Sequence, residues 1–406
     1  WEQTFLSGGK LMSAKRLETV VVKQAMTRVK EEKMPFDWSI NPYRGCAHGC
    51  SFCYARAFQS FIGLGSDEFQ DHILVKDNAA EALRKQLHNM AASRRFDLQE
   101  LARDVGHIAI GTATDPYQPA ESSRQVTREC LKVLARYRVP VSITTRSPLV
   151  LRDMDILADL NLLSVNISLN TLDDELIRFL EPGAPLPRQR LQALAELRNA
   201  GLPAGVFAAP ILPLLTDSRS RLDELMGAVK EAGAGYMMTS LLRLTPDVKS
   251  WYYGMLQRYD ASLLPAYDRI FAGAYASRDY AERIHDIVSE LRVLHGIPED
   301  RFYRESAGSV RESGLGQAAA MLAVPMREGR TVPVGSESAK SLSEGISKPN
   351  AGADLSPAAA DGDDAQRLLS EEPGLAGKLA RLREIPGAGC TPGTEIEVLE
   401  QMSLPF

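Results

Sequence analysis

Short apolar runs separated by amphipathic stretches dominate residues 38–245. Runs at 38–41, 73–76, 107–112, 141–145, 164–169, 204–209 and 236–241 are rich in Val, Ile, Ala and Thr and read as strands. Between most of them, at 78–92, 121–138 and 187–199, apolar positions recur three and four apart and predict helices. Strands alternating with helices predict parallel pairing through crossover connections. Strands apolar on both faces predict a sheet covered by helices. The expected fold is α/β, a partial (β/α)6-type TIM barrel with its chemistry at the C-terminal strand ends.

Outside that core the texture changes. Residues 1–37 read as an N-terminal arm, and 38–245 as the barrel. Residues 246–312 read as a helical C-terminal extension, periodic at 247–259 and 280–294. Residues 313–366 turn rich in Ser, Gly, Ala, Pro and Asp and are expected to be a flexible linker. Residues 367–406 form a tail whose last six residues are apolar again.

The 406-residue chain is 44% hydrophobic and 24% charged, as ordinary soluble globular proteins are. No run approaches the roughly eighteen apolar residues of a membrane span. Trp1-Glu2-Gln3 shows no basic-then-apolar export signal, so a cytoplasmic location is expected, with no membrane contact. A net charge of −5 argues against a generic nucleic-acid coat but leaves room for a locally basic groove. Arg124, Arg128, Lys132, Arg136 and Arg138 cluster on one predicted helix, as a solvated face or a phosphate contact.

The chemistry concentrates in the cysteines, at 46, 50, 53, 130 and 390. Three within eight residues, without an export signal, read as metal binding. Cys46-Ala-His-Gly-Cys50-Ser-Phe-Cys53 can hold three corners of a [4Fe-4S] cube, leaving the fourth iron open to a ligand. Gly45 and Gly49 let such a loop turn tightly. A zinc site completed by His48 is the alternative, although His48 lies between two ligands and reaches the same metal only with strain. A non-catalytic iron–sulfur module is another. Cys130 and Cys390 are too few for a second all-cysteine cluster.

This triplet resembles the signature of the radical S-adenosylmethionine (SAM) superfamily. The run Asp37-Trp-Ser-Ile-Asn-Pro-Tyr-Arg-Gly-Cys46 through Tyr54-Ala-Arg56 resembles the branch related to spore photoproduct lyase, often labelled DNA repair photolyase-like. So do Gly111-Thr-Ala-Thr-Asp-Pro-Tyr-Gln-Pro119, Thr145-Arg-Ser-Pro-Leu-Val-Leu-Arg152, Ser168-Leu-Asn170, Leu180-Glu-Pro-Gly183 and Ala208-Ala-Pro-Ile211. The resemblance implies a [4Fe-4S] cluster on Cys46, Cys50 and Cys53, reductive cleavage of SAM, and a 5′-deoxyadenosyl radical. Lyase chemistry on damaged or modified nucleic acid, as in DNA repair, is the expected use. A small metabolite, peptide or protein is the alternative substrate. An electron donor such as flavodoxin or ferredoxin is implied as a partner.

For SAM, Arg146 and Ser168 are expected to meet the carboxylate, and Thr114 and Asp115 the ammonium. Phe52 and Pro210 are expected to wall the adenine, with Asn170 beside them. Tyr54, Tyr117 and Gln118 are the candidates for the substrate side. Spore photoproduct lyase carries a cysteine in the segment matching 111–115. This chain has Thr112, Ala113 and Thr114 there, which argues against the same thiol-dependent reaction. The terminal Gln401-Met-Ser-Leu-Pro-Phe406 resembles the peptide by which bacterial replication and repair proteins dock on the sliding clamp. Folding back on the enzyme's own surface is its alternative.

Overall fold

The computed structural model describes residues 15–298, apart from 32, 33, 64, 66 and 67. The expected linker, the tail with its clamp-like peptide, Cys390 and the end of the helical extension lie outside the described residues.

The strands are β1 (Arg16–Val20), β2 (Met26–Arg28), β3 (Trp38–Ile40), β4 (Tyr43–Arg44), β5 (His72–Lys76), β6 (Ile108–Ile110), β7 (Val141–Thr145), β8 (Leu162–Ser168), β9 (Ala204–Ile211) and β10 (Met237–Leu241). A seven-stranded sheet runs in the order β10-β9-β8-β7-β6-β3-β2. From β3 to β10 every neighbouring pair is parallel. That is the six-stranded parallel core of the expected partial barrel. The antiparallel β2 covers its β3 edge.

Two features differ from the sequence reading. First, β5 is not a barrel strand. It lies between β1 and β4 in a separate three-stranded sheet. Alternation identifies a strand but not its partner, and β5 is buried at its centre in either setting. Second, the described part of 1–37 is built into the fold through β1 and β2. Side chains complete its backbone bonding where strands do not. Gln86 Oε1 accepts from the amides of Ala25 (2.8 Å) and Met26 (3.0 Å). Asn78 accepts from Val22 N (2.8 Å) and donates to Val22 O (2.9 Å).

Helix Pro187–Asn199 starts on a proline in its first turn, where a missing N–H costs nothing. The predicted helix at 121–138 is two, Glu121–Arg124 and Val126–Tyr137, broken where Gln125 takes φ +52°. Two of the basic residues on it are paired with acids. Arg128 meets Asp153 at 2.5 Å and Asp155 at 2.9 Å, and Lys132 meets Glu129 at 2.7 Å. Helices Pro246–Asp260 and Arg278–His295 lie in the expected extension. Among the described residues no helix is long and apolar enough to cross a membrane.

Candidate active site

The loop after β3 and β4 carries all three clustered cysteines to the C-terminal end of the parallel sheet. Gly45 opens it at φ +78°, where a Cβ would stand 2.6 Å from the His72 carbonyl oxygen. Only glycine accepts both the conformation and the approach. Cys46 and Cys50 are buried and Cys53 is half-buried. The amide of Cys46 donates to Phe69 O (2.9 Å), fixing the first thiol against the second sheet.

The loop is braced from two directions. Gln118, wholly buried, uses its side-chain oxygen to accept from Ala47 N (2.9 Å). Its nitrogen donates to Thr114 Oγ1 (3.0 Å) and Gly45 O (3.3 Å). Thr114 Oγ1 donates to Gly45 O (2.7 Å). Asp115, just after them, accepts from Tyr117 N (2.9 Å), Thr145 Oγ1 (2.7 Å) and Arg146 N (2.7 Å). Its Oδ2 also stands 3.2 Å from Nδ1 of His48, an ion-pair contact without aligned hydrogen-bond geometry.

These charges form a chain from the first thiol into the sheet. Burial opposes the charged form of His48, but Asp115 and then Cys46 outweigh it and hold His48 up at about 9. Burial would raise Asp115, yet His48, Thr145 and Arg146 N hold it down at about 2. Burial would also raise Cys46, and the His48 imidazolium overturns that, leaving the thiol below its ordinary value. At Cys50 and Cys53 burial outweighs the nearby Arg146 and pushes both up.

Residues 180–183 form the opposite brace. Ser51 N donates to Leu180 O (2.8 Å) and Gly183 N to His48 O (3.0 Å). A Cβ on Gly183 would stand 2.0 Å from Ala47 O. Glu181 is buried between Arg190, in direct contact, and Arg146 Nε at 3.2 Å. Arg190 also donates to Ser168 O (3.0 Å) and Pro185 O (2.8 Å). Arg56 holds the loop from below, donating from Nε to Cys50 O (3.0 Å) and from Nη2 to Gly49 O (2.8 Å).

The three thiols lie within one another's electrostatic reach. Yet among the described residues no three His, Cys, Asp or Glu converge on a single ion-sized point. Three separate thiols on one loop can each take an iron of a cube. Comparison with known proteins gives the same result. Residues 40–226 match the model of the radical SAM superfamily. An uncharacterized protein of Mycobacterium tuberculosis is 33% identical over 287 residues, covering 69% of this chain and 81% of that protein.

The chain belongs to the radical SAM superfamily. The family uses a [4Fe-4S] cluster and SAM. This radical SAM chain is also 24% identical to the radical SAM Nalpha-GlyT isomerase of Pseudomonas phage M6, over 58% of this chain and 45% of that one. Its fold resembles that of spore photoproduct lyase complexed with dinucleoside spore photoproduct. The TM-score is 0.50 at 17% identity, covering 69% of this chain and 79% of the other.

The remaining sequence-predicted residues divide by position. Asn170, past the end of β8, donates to Pro210 O (3.2 Å), while its Oδ1 is buried without a hydrogen-bond partner. Ser168 is buried at the end of β8. Phe52 is buried with the Arg146 guanidinium 5.9 Å from its ring centre. Tyr54 is 38% exposed, its hydroxyl donating to the carbonyl of Thr112. Tyr117 is buried, its hydroxyl facing Asp153 without an aligned bond, and it helps line a cleft of about 600 Å³ with His48, Pro148 and Pro185.

Three of the predicted residues are tied into the protein around the cysteine loop. Asp115 accepts three hydrogen bonds from within the protein and also faces His48. Thr114 and Gln118 bond to the backbone of the cysteine loop and brace it. Sequence reasoning missed His48 as an ion-pair partner, and missed Arg56, Glu181 and Arg190. Glu181 falls in a run shared with the family, but no local spacing announces its partners.

Proposed function

We propose that this radical SAM enzyme directs a 5′-deoxyadenosyl radical at a nucleotide-type substrate within damaged or modified nucleic acid. The observation that carries the radical chemistry is the gathering of Cys46, Cys50 and Cys53 on one braced loop at the C-terminal end of β3. When bound, the cluster and SAM together supply reductive cleavage of the sulfur–C5′ bond and a radical able to take hydrogen from substrate. The three cysteines hold three irons and leave one open.

Arg146 offers its guanidinium to the SAM carboxylate, with the hydroxyl of Ser168 nearby at the end of the next strand. The unpartnered Oδ1 of Asn170 accepts from the ammonium. Phe52 and Pro210 wall the adenine and exclude water. Tyr54 stands at the solvent side, where its exposed ring offers a base a flat face. The nucleotide assignment draws on the fold shared with spore photoproduct lyase and the sequence likeness to the phage isomerase. Thiol-dependent hydrogen return is not part of the proposal, because 112–114 holds no cysteine. A cytoplasmic low-potential donor such as flavodoxin or ferredoxin supplies the electron.

Anaerobic reconstitution followed by dithionite should yield 5′-deoxyadenosine from SAM. No such product from fully loaded protein would remove the enzymatic reading. Lesion-bearing or modified oligonucleotides should raise that yield above the uncoupled rate. A second reading, a small metabolite, peptide or protein substrate, is favoured by the net charge of −5 and by the acid-paired Arg128 and Lys132. Retention on DNA with a steep salt dependence counts against it.

A further inference from the structure

Arg56 brings a cation into the interior beside the cysteine loop, with 1% of its surface exposed. Its guanidinium lies between two rings, 5.1 Å from the centre of Phe69 and 4.3 Å from the centre of Trp251. It donates to the carbonyls of Gly49 and Cys50, between the first two thiols, and to Gln70 Oε1 at 2.9 Å. Phe69 precedes β5, and Trp251 belongs to helix Pro246–Asp260. Two distant parts of the chain therefore clamp one side chain.

Burial opposes the charge on Arg56. The groups that favour it are Cys53, Cys50 and Cys46 in that order, ahead of Asp71. Its bonds to Gly49 O and Cys50 O hold the cation against the backbone of the ligand loop. A fixed charge acts more strongly where water is excluded. Adding an electron to a cluster adds negative charge, which a nearby cation stabilises, so net charge is one of the levers on its potential. Stacking between rings fixes the planar guanidinium in a way that an ammonium does not match.

We propose that Arg56 is a positioning residue that raises the reduction potential of the cluster, and that Trp251 of the C-terminal helix holds it there. The inference rests on the reading that these cysteines bind the cluster.

Wild type, R56K, R56Q and W251L should be reconstituted anaerobically without SAM. Their iron content is measured, and their midpoint potentials are read by mediated titration with EPR detection. R56Q should make the reduction equilibrium at least about tenfold less favourable, ~59 mV more negative for one electron. R56K should keep a potential near wild type while holding less iron, because it lacks the forked contacts. W251L should move in the same direction as R56Q by less. Wild-type potentials in loaded R56Q and W251L overturn the proposal. So does an R56K potential shifted as far as that of R56Q. If R56Q retains no iron, W251L decides alone, and an unchanged potential there overturns it. A wild-type protein that binds no iron removes the cluster reading itself.

Discussion

The carboxylate of Glu181 and the guanidinium of Arg190 touch in the interior, with 1% and 0% of their side chains exposed. The pair ties helix Pro187–Asn199 to the backbone that clasps the cysteine loop. Arg146, reaching toward the same carboxylate, brings the end of β7 into the contact. Removing Glu181 leaves a buried and a half-buried cation facing each other. Glu181→Ala should destabilise the apoprotein by about 3–5 kcal/mol in urea unfolding, as breaking one side of a buried pair does. The volume-matched double replacement Glu181→Leu with Arg190→Met should recover much of that loss. A single variant as stable as wild type would refute the load assigned to the pair.

Gly183→Ala is expected to act on the site more than on the fold. The added methyl would stand 2.0 Å from Ala47 O, so the clasp must open by an ångström or more. Iron bound after reconstitution should fall severalfold, while far-UV circular dichroism stays unchanged. Full iron loading would show that the clasp is dispensable.

The cysteines should separate cleanly. Replacing Cys46, Cys50 or Cys53 by Ala should abolish the visible absorbance of the cluster and the formation of 5′-deoxyadenosine. Cys130→Ala should keep both. Burial in helix Val126–Tyr137 pushes the Cys130 thiol up to about 12, so it stays protonated and inert. Loss of the cluster in Cys130→Ala would contradict this division.

His107 provides a pH signature of the fold. Its ring nitrogens stand 2.7 Å from Pro35 O and 2.7 Å from Ser142 Oγ, and burial lowers its pKa. The unfolded chain takes up a proton near pH 6.5, and the folded chain only at lower pH. Between those values the unfolded state binds more protons, so stability falls as pH drops through that window. Melting temperatures of wild type and His107→Gln should therefore converge as pH falls from 7.5 to 5.5. Parallel curves would show that His107 contributes no proton linkage.

The barrel strands were legible because each is a short apolar run between helices of regular period. Helix Pro187–Asn199 was read to the residue. Partnering was not legible, which is why β5 was counted with the barrel. Strands β1 and β2 escaped because they are short and largely exposed, and side chains of Asn78 and Gln86 supply part of their bonding. The cysteines announced themselves by spacing alone. The groups that hold them did not. His48 meets Asp115, Arg56 meets Trp251, and Gly183 meets Ala47 only after the chain has folded. Asp115 and Gln118 were noticed, but the bonds they make within the protein became visible only with their partners in place.

Cys50 and Phe52 share an apolar cluster with Leu244, Val248, Tyr252, Tyr267 and Phe271, and Cys53 packs against the same group. The segment after the barrel is thus a wall of the thiol chamber. For an iron–sulfur protein such a wall is also a barrier to oxygen. Opening it with Tyr252→Ala should hasten the bleaching of the reconstituted cluster in air without altering its ligands. How long the loaded enzyme survives outside an anaerobic chamber is therefore set in part by helices that never touch the substrate.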